Sequence, residues 1–272
     1  MPFRLTTLGA AMIALATIAT TPALAAKCGN NSAGFGKWVE EFRQEAVANG
    51  IKPATLNLAF ADIHYNTKTI WADRNQKSFK LSYEEFLKRR GAAAIISQGR
   101  KHKERNAALF DRIEARYGVP AGPLIAIWGM ETAFGSFQGD QSVISALATL
   151  AYDCRRSAFF EEQLYAALGL LQSGQLTMAE MTGARHGELG QMQFLPSNYV
   201  KFGVDADGDG RVDMIRSRAD ALASTANYLR AHGWKPGLGY QPGEPNFDAL
   251  AEWNKAQVYQ RALAYIGAEI DR

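Results

Sequence analysis

The sequence predicts a mainly α-helical protein. Apolar residues recur at helical spacing along most of the chain, two segments begin with helix-capping patterns, and the alternation typical of strands is scarce. The 272 residues are 47% hydrophobic and 21% charged, which excludes disordered and fibrous classes and allows one large domain or two packed ones. Any β-sheet is therefore expected to be small.

The first 25 residues have the features of an export signal. Arg4 supplies a positive start, an apolar run extends from Leu8 to Ala19, and Ala23-Leu24-Ala25 is the small-x-small pattern of a cleavage site. The apolar run is too short to span a bilayer, and Lys27 before Cys28 argues against a lipid anchor. We therefore expect a periplasmic protein without a stable membrane anchor. An uncleaved N-terminal anchor is the alternative.

The net charge argues against a nucleic-acid partner, and the two cysteines bear on whether a disulfide forms after export. The net charge of +3 is close to balanced, so a nucleic-acid partner is not expected. Cys28 and Cys154 would both remain after export into an oxidising compartment, where two cysteines are more often paired than free. A disulfide between them is predicted, with two free thiols as the alternative.

The first helices are predicted from spacing and from stop signals. Trp38, Phe42 and Ala46 share one helical face, and Gly50 follows as a stop. Pro53 begins a second short helix that extends to about residue 62.

Capping boxes and apolar runs predict the later helices. Ser82 and Glu85 begin one, and Thr177 and Glu180 form a second capping box. Further helices are predicted over 101–117, from 119–120 through 131, and over 142–152, 157–173, 220–232 and 249–269. The glycine- and proline-rich segment 233–243 is predicted to be a loop that could border a groove.

Glu131 is the candidate general acid. It lies in the most apolar helix of the chain, among neighbours that include Ile127, Trp128, Met130 and Phe134. Burial of an unpaired carboxylate raises its pKa, so the group keeps its proton near neutrality, as a general acid requires. A glutamate paired with an arginine, or facing solvent at the end of the helix, is the alternative.

The segment 187–199 is a candidate wall of a binding groove. It contains Gly187 and Gly190, and Gln191 and Gln193 precede a proline-started helix. An amide such as that of Gln193 can both donate and accept hydrogen bonds toward a neutral polar ligand such as a sugar. An ordinary turn before a helix is the alternative.

An acidic loop at 205–213 is a candidate metal site. Carboxylates stand at EF-hand loop positions 1, 3, 5 and 9, with glycine at 6, whereas position 12 is Arg216 instead of a bidentate glutamate. Close carboxylates repel one another without a cation, so one structural Ca²⁺ is predicted; a solvated acidic turn is the alternative. The candidate metal residues are Asp205, Asp207, Asp209, Arg211 and Asp220.

Several short motifs follow one another in order along the chain. They are Tyr117-Gly118-Val119-Pro120, Trp128-Gly129-Met130-Glu131-Thr132 with Phe134-Gly135, Gly190 with Gln193-Phe194 and Pro196-Ser197, and also Asp73-Arg74-Asn75-Gln76, Ala226-Asn227-Tyr228-Leu229 and Trp253-Asn254. In this order they resemble the lytic murein transglycosylase B family, glycoside hydrolase family 103. The resemblance extends from about Gly36 to the C-terminus.

The resemblance implies both a fold and an activity. The implied class is mainly α (α+β), with a lysozyme-like core at about 111–272, a helical domain at about 36–110 and a small β-containing insert. Members cleave the β-1,4 bond between N-acetylmuramic acid and N-acetylglucosamine in peptidoglycan and form a 1,6-anhydro product. Glycan strands are the implied partner, no organic cofactor is expected, and the chain is expected to act as a monomer.

The resemblance also assigns roles to residues of this sequence. Glu131 corresponds to the one catalytic residue, which acts first as acid and then as base. The implied substrate-binding residues are Gln193, Tyr228, Trp253, Asn254 and Tyr259.

Three positions depart from the family pattern. Ala184 stands where the family often has a serine that steadies the catalytic glutamate. Trp253 stands where some members have tyrosine. Phe86 stands where the family has an aromatic residue that carries a hydroxyl group, which phenylalanine lacks. These changes affect expected contacts in the groove and leave Glu131 in place.

Three alternatives to an anhydro-forming enzyme remain at this stage. Glu188 could serve as the base of an inverting hydrolase if it faced Glu131 about 6.5–9.5 Å away. A peptidoglycan-binding or scaffold protein without catalysis is favoured by Ala184 and opposed by Glu131 in its apolar setting. A calcium-responsive regulator is disfavoured because the sequence has one such loop, with a basic twelfth position.

Overall fold

The computed structural model describes residues 27–75 and 80–272. The predicted signal segment 1–25, and Gln76 of the Asp73–Gln76 motif, lie outside the described residues. Within them the chain forms thirteen α-helices and one two-stranded antiparallel sheet. The predicted mainly helical class with a small sheet is therefore confirmed.

The helices follow one another with short connections. They are α1 Phe35–Ala48, α2 Pro53–Ala59, α3 Thr67–Arg74, α4 Tyr83–Arg90, α5 Ala92–Arg105, α6 Ala107–Tyr117, α7 Ala121–Thr132, α8 Val143–Tyr152, α9 Ser157–Gln172, α10 Pro196–Phe202, α11 Arg218–Ala231, α12 Phe247–Trp253 and α13 Gln257–Asp271. The sheet pairs β1 Gln141–Ser142 with β2 Thr182–Gly183, and it places Gln141 opposite Gly183.

The N-terminal segment is fastened to the end of α8. A disulfide joins Cys28 to Cys154, with 5.0 Å between their Cα atoms, and the Gly29 amide donates to the Tyr152 carbonyl at 2.9 Å. From this start α1 buries Trp38 against α8 through the ring of Tyr152, with the ring centroids 6.0 Å apart.

Helix α7 runs through the centre of the protein. Every residue from Ala121 to Met130 is buried, and the helix packs on α13 and α5. Its first turn has no side-chain cap of its own, because Pro120 occupies the N-cap. Instead the Asp271 carboxylate, near the end of α13, accepts the Gly122 amide at 2.8 Å. The two helices are therefore joined by a hydrogen bond where α7 begins.

A glycine allows α7 and α13 to approach closely. A Cβ on Gly122 would lie 2.3 Å from the Gly267 carbonyl oxygen, a distance that no side chain tolerates. The close crossing fixes the register of the two helices. Because of it, the N-terminal turn of α13, which carries Tyr259, lies beside the last turn of α7, which carries Glu131.

Two predicted helices are wrong in their boundaries. The segment 101–117 is split between α5 and α6 at Asn106, whose side-chain amide donates to the His102 carbonyl at 2.7 Å. The segment 249–269 is split between α12 and α13, where Asn254 is extended and its Oδ1 accepts the Ala256 amide at 2.9 Å. In both places an asparagine side chain satisfies local main-chain groups and competes with a continuous helix.

One helix, α3, was not predicted from the sequence. Helix α3 begins at Asn66, whose side chain accepts the amides of Lys68 and Thr69, although the helix buries only Thr69 and Asp73. Its weak apolar periodicity explains why no helix was predicted there. Across residues 27–75 and 80–272, no helix combines the length and the apolar character needed to cross a bilayer.

Candidate active site

A cavity of about 350 Å³ lies at the C-terminal end of α7. It is enclosed by the segment 184–198 on one side and by α11 and the end of α12 on the other. The lining residues are Glu131, Ala184, His186, Glu188, Gln193, Phe194, Leu195, Asn198, Tyr228, Trp253 and Asn254. Residues predicted from four distant parts of the sequence therefore meet here.

The two carboxyl oxygens of Glu131 have different surroundings. Oε1 accepts the Tyr259 hydroxyl at 2.5 Å and the Trp253 indole N–H at 3.3 Å. Oε2 has no hydrogen-bond partner among the described residues, and because Glu131 lines the cavity and is only half-buried, we infer that this oxygen faces the cavity. Because Oε1 already accepts two hydrogen bonds, we place the proton of the neutral acid on Oε2.

The environment of Glu131 favours its protonated form. Burial is the largest effect and raises its pKa above the ordinary value, and the nearby Glu188 carboxylate also raises it. The hydrogen bonds from Tyr259 and Trp253, and the charge of Arg90, oppose this shift but do not cancel it. Glu131 can therefore carry a proton into the cavity at a pH where an exposed glutamate is ionised.

Tyr259 does not line the groove as the resemblance implies. Its side chain is 1% exposed and lies behind Glu131, toward which its hydroxyl points. Burial, followed by the charge of Glu131, raises the pKa of Tyr259 well above its ordinary value. The hydroxyl therefore stays a donor to Glu131, and Tyr259 is not among the residues that line the cavity.

Three aromatic rings form one corner of the cavity. Trp253 meets Phe194 and Tyr228 edge to face, with ring centroids 5.3 Å apart in both pairs. The Tyr228 hydroxyl donates to the Glu252 carbonyl at 2.8 Å, and burial raises the pKa of Tyr228 to about 12. The corner presents apolar ring surface of the kind that packs against a sugar ring, while the indole N–H of Trp253 remains on Glu131.

Gln193 is held so that its amide oxygen remains available. Its Nε2 donates to the carbonyls of Gly190 at 2.8 Å and Gln138 at 3.2 Å. The backbone at Gln193 is left-handed, with φ of 53°. The remaining Oε1 can accept a hydrogen bond from a ligand N–H or O–H in the cavity.

Gln191 fastens the wall segment to α7. Its Oε1 accepts the Trp128 indole N–H at 3.1 Å, and its carbonyl accepts the Thr132 hydroxyl at 2.6 Å. A Cβ at Gly135, where φ is 81°, would lie 2.8 Å from the same Gln191 Oε1. Close contact between wall and helix therefore depends on a glycine in the turn after Glu131.

The three departures from the family pattern have visible consequences. Ala184 lines the cavity with a methyl group and offers no hydroxyl to Glu131. The Trp253 indole N–H supplies a donor to Glu131 instead. Phe86 is fully buried and meets Tyr259 with ring centroids 6.3 Å apart, so it packs behind the site and not in the groove.

His186 lines the cavity although it lies just outside the predicted wall segment 187–199, which contains the lining residue Asn198. The His186 main-chain N–H donates to Glu188 Oε2 at 3.1 Å, and its Nδ1 lies 3.4 Å from Glu188 Oε1. Burial lowers the pKa of His186, but Glu188, helped by the charge of Asp73, outweighs this and raises it overall. The sequence feature that could have identified His186 is its position two residues before Glu188, with Gly187 between them.

The acidic loop gathers the predicted carboxylates away from the cavity lining. Asp205, Asp207 and Asp209 each offer an oxygen within 4.8 Å of the others, which suits a hard cation such as Ca²⁺. Asp220 is not in this cluster, because its two oxygens accept the amides of Ala206 and Asp213. Asp220 therefore stabilises the loop through hydrogen bonds to its main chain.

Arg211 also points away from the acidic cluster. Its guanidinium donates to the Glu180 carboxylate at 2.8 Å and to the Gln175 carbonyl at 3.1 Å. The Arg211 amide donates to Asp209 at 2.9 Å, so only its main chain takes part in the loop.

The helical core around the cavity, with an acid at the end of its central helix, defines a lysozyme-like fold. The chain belongs to the transglycosylase SLT domain family, which it matches over residues 34–243. It is also 36% identical over 138 residues to the membrane-bound lytic murein transglycosylase B of Escherichia coli, covering 48% of this chain and 38% of that protein. The chain thus matches well under half the length of that curated relative.

Solved structures show the same fold. SltB3 of Pseudomonas aeruginosa, crystallised in complex with NAG-anhNAM-pentapeptide, superposes with a TM-score of 0.81 at 31% identity, covering 87% of this chain and 79% of that one. Escherichia coli Slt35 in complex with calcium superposes with a TM-score of 0.75 at 21% identity, covering 91% and 96%. At that identity the second likeness is one of fold.

Proposed function

We propose that this protein is a peptidoglycan lytic transglycosylase. It cleaves the β-1,4 bond between N-acetylmuramic acid and N-acetylglucosamine and leaves a 1,6-anhydro end. The observation that carries the proposal is the position of Glu131, which lines the cavity, accepts hydrogen bonds from Tyr259 and Trp253 on Oε1 and has its pKa raised by burial. Family membership supports the same reaction, as does the fragment bound by SltB3.

The first step is proton donation. Glu131 transfers its proton to the glycosidic oxygen as the bond to C1 breaks, which gives an oxocarbenium-like transition state. The substrate's own N-acetyl oxygen can stabilise C1, as in substrate-assisted glycosidases. The hydrogen bonds from Tyr259 and Trp253 stabilise the carboxylate that results.

The second step returns the proton to Glu131. The ionised carboxylate removes a proton from the C6 hydroxyl of the same sugar, and the C6 oxygen attacks C1 to close the anhydro ring. The attack is intramolecular, so it benefits from proximity and needs no bound water. One carboxyl group thus acts as acid and then as base.

The groove residues position the sugars around this acid. We assign ring stacking to the corner formed by Phe194, Tyr228 and Trp253, and hydrogen bonding to Gln193 Oε1 and Asn254. Tyr259 keeps the acid in place from behind. The disposition of these groups supports the binding of a polymer of neutral sugars.

A structural Ca²⁺ belongs to the proposal as a stabilising ion. The carboxylates of Asp205, Asp207 and Asp209 form a donor set of hard oxygens that fits Ca²⁺. When bound, the ion would neutralise the mutual repulsion of these groups and hold the loop before α11. It takes no part in the reaction steps.

Location and organisation complete the proposal. A disulfide between Cys28 and Cys154 suits an oxidising compartment, and the export pattern at 1–25 directs the chain to the periplasm. The catalytic region then comprises 26–272, with a helical part at about 36–110 and the lysozyme-like core following, and it acts on glycan strands as a monomer.

Mass spectrometry of digested sacculi tests the proposal. The wild-type protein should release muropeptides with anhydro ends, each lighter by one water than the hydrolysed form. Glu131→Gln should lower the rate by about 10²–10⁴-fold, the usual contribution of a general acid, and should keep its circular dichroism spectrum. Glu104→Gln, an exposed change on α5, is the matched control and should keep full activity. Absence of anhydro ends, or an active Glu131→Gln protein, would refute the proposal.

A further inference from the structure

We propose that Phe137 forms a further sugar-binding subsite at the rim of the cavity. Its ring packs against a sugar unit of the glycan strand that lies outside the two units flanking the cleaved bond. The inference rests on the proposed function, because it extends the substrate of the same site. It gives a role to the loop 133–140 between α7 and β1, which takes no part in the reaction steps.

Phe137 presents a large apolar surface to solvent. The residue is 68% exposed, the highest value among the large apolar residues in the described part of the chain. Contact between water and an aromatic ring is unfavourable, so a ligand that covers the ring is stabilised by the area it buries. The exposure of this ring therefore favours a binding partner, provided that the ring is held in place.

Hydrogen bonds fix the loop that carries Phe137. The Phe137 amide donates to the Thr132 carbonyl at 3.1 Å, and the Gly135 amide donates to the Thr132 hydroxyl at 2.9 Å. On the other side of the ring, the Gln138 side-chain amide donates to the Ile215 carbonyl at 3.0 Å. Phe137 thus stands between two anchored positions, and the ring loses little freedom when a ligand binds to it.

The two aromatic residues of the loop have opposite surroundings. Ala133 and Phe134 are left-handed, with φ of 47° and 61°, so the chain reverses directly after α7. The reversal packs the ring of Phe134 against Trp128 and His102, with ring centroids 5.4 and 4.6 Å apart. Phe137 remains outside this cluster. One aromatic residue therefore anchors the loop, and the other is left for a ligand.

The residues that follow Phe137 touch the wall of the cavity. The Gln138 carbonyl accepts the Gln193 side-chain amide at 3.2 Å. A Cβ on Gly139 would lie 2.6 Å from the Ala184 amide nitrogen, and both Gln193 and Ala184 line the cavity. Standard backbone dimensions then place the Phe137 Cα within about 10 Å of the Gln193 amide nitrogen. Phe137 therefore stands at the rim, beside the wall that binds the substrate.

A sugar unit of the strand is the occupant that fits this position. The cavity of about 350 Å³ is near the lower limit of the 300–1,000 Å³ typical of small-ligand sites, so a polymer must continue past its rim. The apolar face of a sugar ring packs against an aromatic ring without needing a charge. Asp140 is exposed three residues away, and its negative charge disfavours the carboxylates of a stem peptide here.

Binding to the Glu131→Gln protein tests the inference without turnover. The ligands are peptide-free glycan strands and the disaccharide of N-acetylglucosamine and N-acetylmuramic acid. Adding Phe137→Ala should raise Kd for the strands by about 3–10-fold, in keeping with the loss of one aromatic contact, and should leave Kd for the disaccharide unchanged. Phe137→Tyr keeps the ring and should bind strands as before. Leu58→Ala, an equally exposed apolar change on α2, is the control and should alter neither value.

The outcomes separate this inference from the proposed function. An unchanged Kd for strands in a folded Phe137→Ala protein, judged by its melting temperature, would refute the subsite, as would an equal loss with the disaccharide. A loss confined to strands that carry stem peptides would assign the ring to the peptide and also overturn it. If Phe137→Ala does not fold, Phe137→Leu, which is apolar but has no ring, decides in the same way. Anhydro ends in wild-type digests, measured separately, decide the transglycosylase whatever Phe137 does.

Discussion

The Tyr259 hydroxyl donates to Glu131 Oε1 at 2.5 Å from a position closed to solvent. The contact joins the first turn of α13 to the last turn of α7, 128 residues apart in sequence. It stabilises the ionised form of Glu131 and so opposes the effect of burial on its pKa. Tyr259 therefore controls how readily the acid gives up its proton and how well it serves as a base afterwards.

Replacing Tyr259 with phenylalanine should alter the pH dependence of the reaction. Without the donor, the pKa of Glu131 should rise further, so the basic limb of the rate profile should move to higher pH. Turnover at neutral pH should fall by about 10–100-fold, because a hydrogen bond to a charged group contributes about 1.5–3 kcal/mol. Rates measured on purified glycan strands across pH would show both effects.

Tyr265→Phe is the matched control for that variant. Tyr265 lies on the same helix, but its side chain is 40% exposed. Removal of the Tyr265 hydroxyl should change neither the basic limb of the pH–rate profile nor the turnover at neutral pH. A Tyr259→Phe protein whose basic limb coincides with that of the wild type would contradict the role assigned to this hydroxyl.

Replacing Glu131 with glutamine should stabilise the fold at high pH. Since the pKa of Glu131 is raised above 4.5 in the folded state, the folded protein retains a proton that the unfolded chain loses. Wild-type stability therefore falls as pH rises from the unfolded value through the folded one and is level beyond it. Glutamine has no such loss, so the melting-temperature difference should be small at pH 4 and favour the variant at pH 8.

The comparison needs the same substitution at an exposed glutamate. Glu104→Gln removes an exposed carboxyl from α5 and should show no difference that grows with pH. If the difference in melting temperature between Glu131→Gln and the wild type is the same at pH 4 and at pH 8, the fold does not hold Glu131 protonated.

The acid itself could be predicted from sequence, because the apolar run around it is local. The run that precedes Glu131 belongs to its own helix and indicates that this helix is buried. The donors could not be predicted in this way. Trp253 and Tyr259 reach Glu131 across 122 and 128 residues, through a helix crossing that depends on Gly122. Periodicity carries no information about which helices cross.

The errors in the helix predictions have a similar origin. Both wrong boundaries fall at an asparagine, Asn106 or Asn254, whose side chain bonds to neighbouring main-chain groups. The apolar pattern continues across each break because both helices pack on the same core. A prediction from apolar spacing therefore joins two helices into one, whereas the side-chain hydrogen bonds of the asparagine mark where one helix ends and the next begins.

Calcium should stabilise the protein through the acidic loop. Binding to the folded state alone raises stability by about 2.7 kcal/mol when the free ion is at a hundred times its dissociation constant. Melting curves in Ca²⁺ and in EDTA should therefore differ for the wild type. Asp209→Asn removes one of the three clustered carboxylates and should abolish most of the shift. Asp111→Asn, exposed on α6, should keep it, and equal wild-type curves would remove the ion from the proposal.

Reducing the Cys28–Cys154 disulfide should destabilise the fold without directly altering the site. The bond closes a loop with a sequence separation of 126, and chain entropy assigns about 4–5 kcal/mol to such a closure. Urea unfolding with and without dithiothreitol measures the difference, and Cys28→Ser with Cys154→Ser should make the protein insensitive to the reductant. Neither cysteine lines the cavity, so activity below the unfolding transition should persist. A loss of activity before unfolding would show instead that the N-terminal segment supports the catalytic wall.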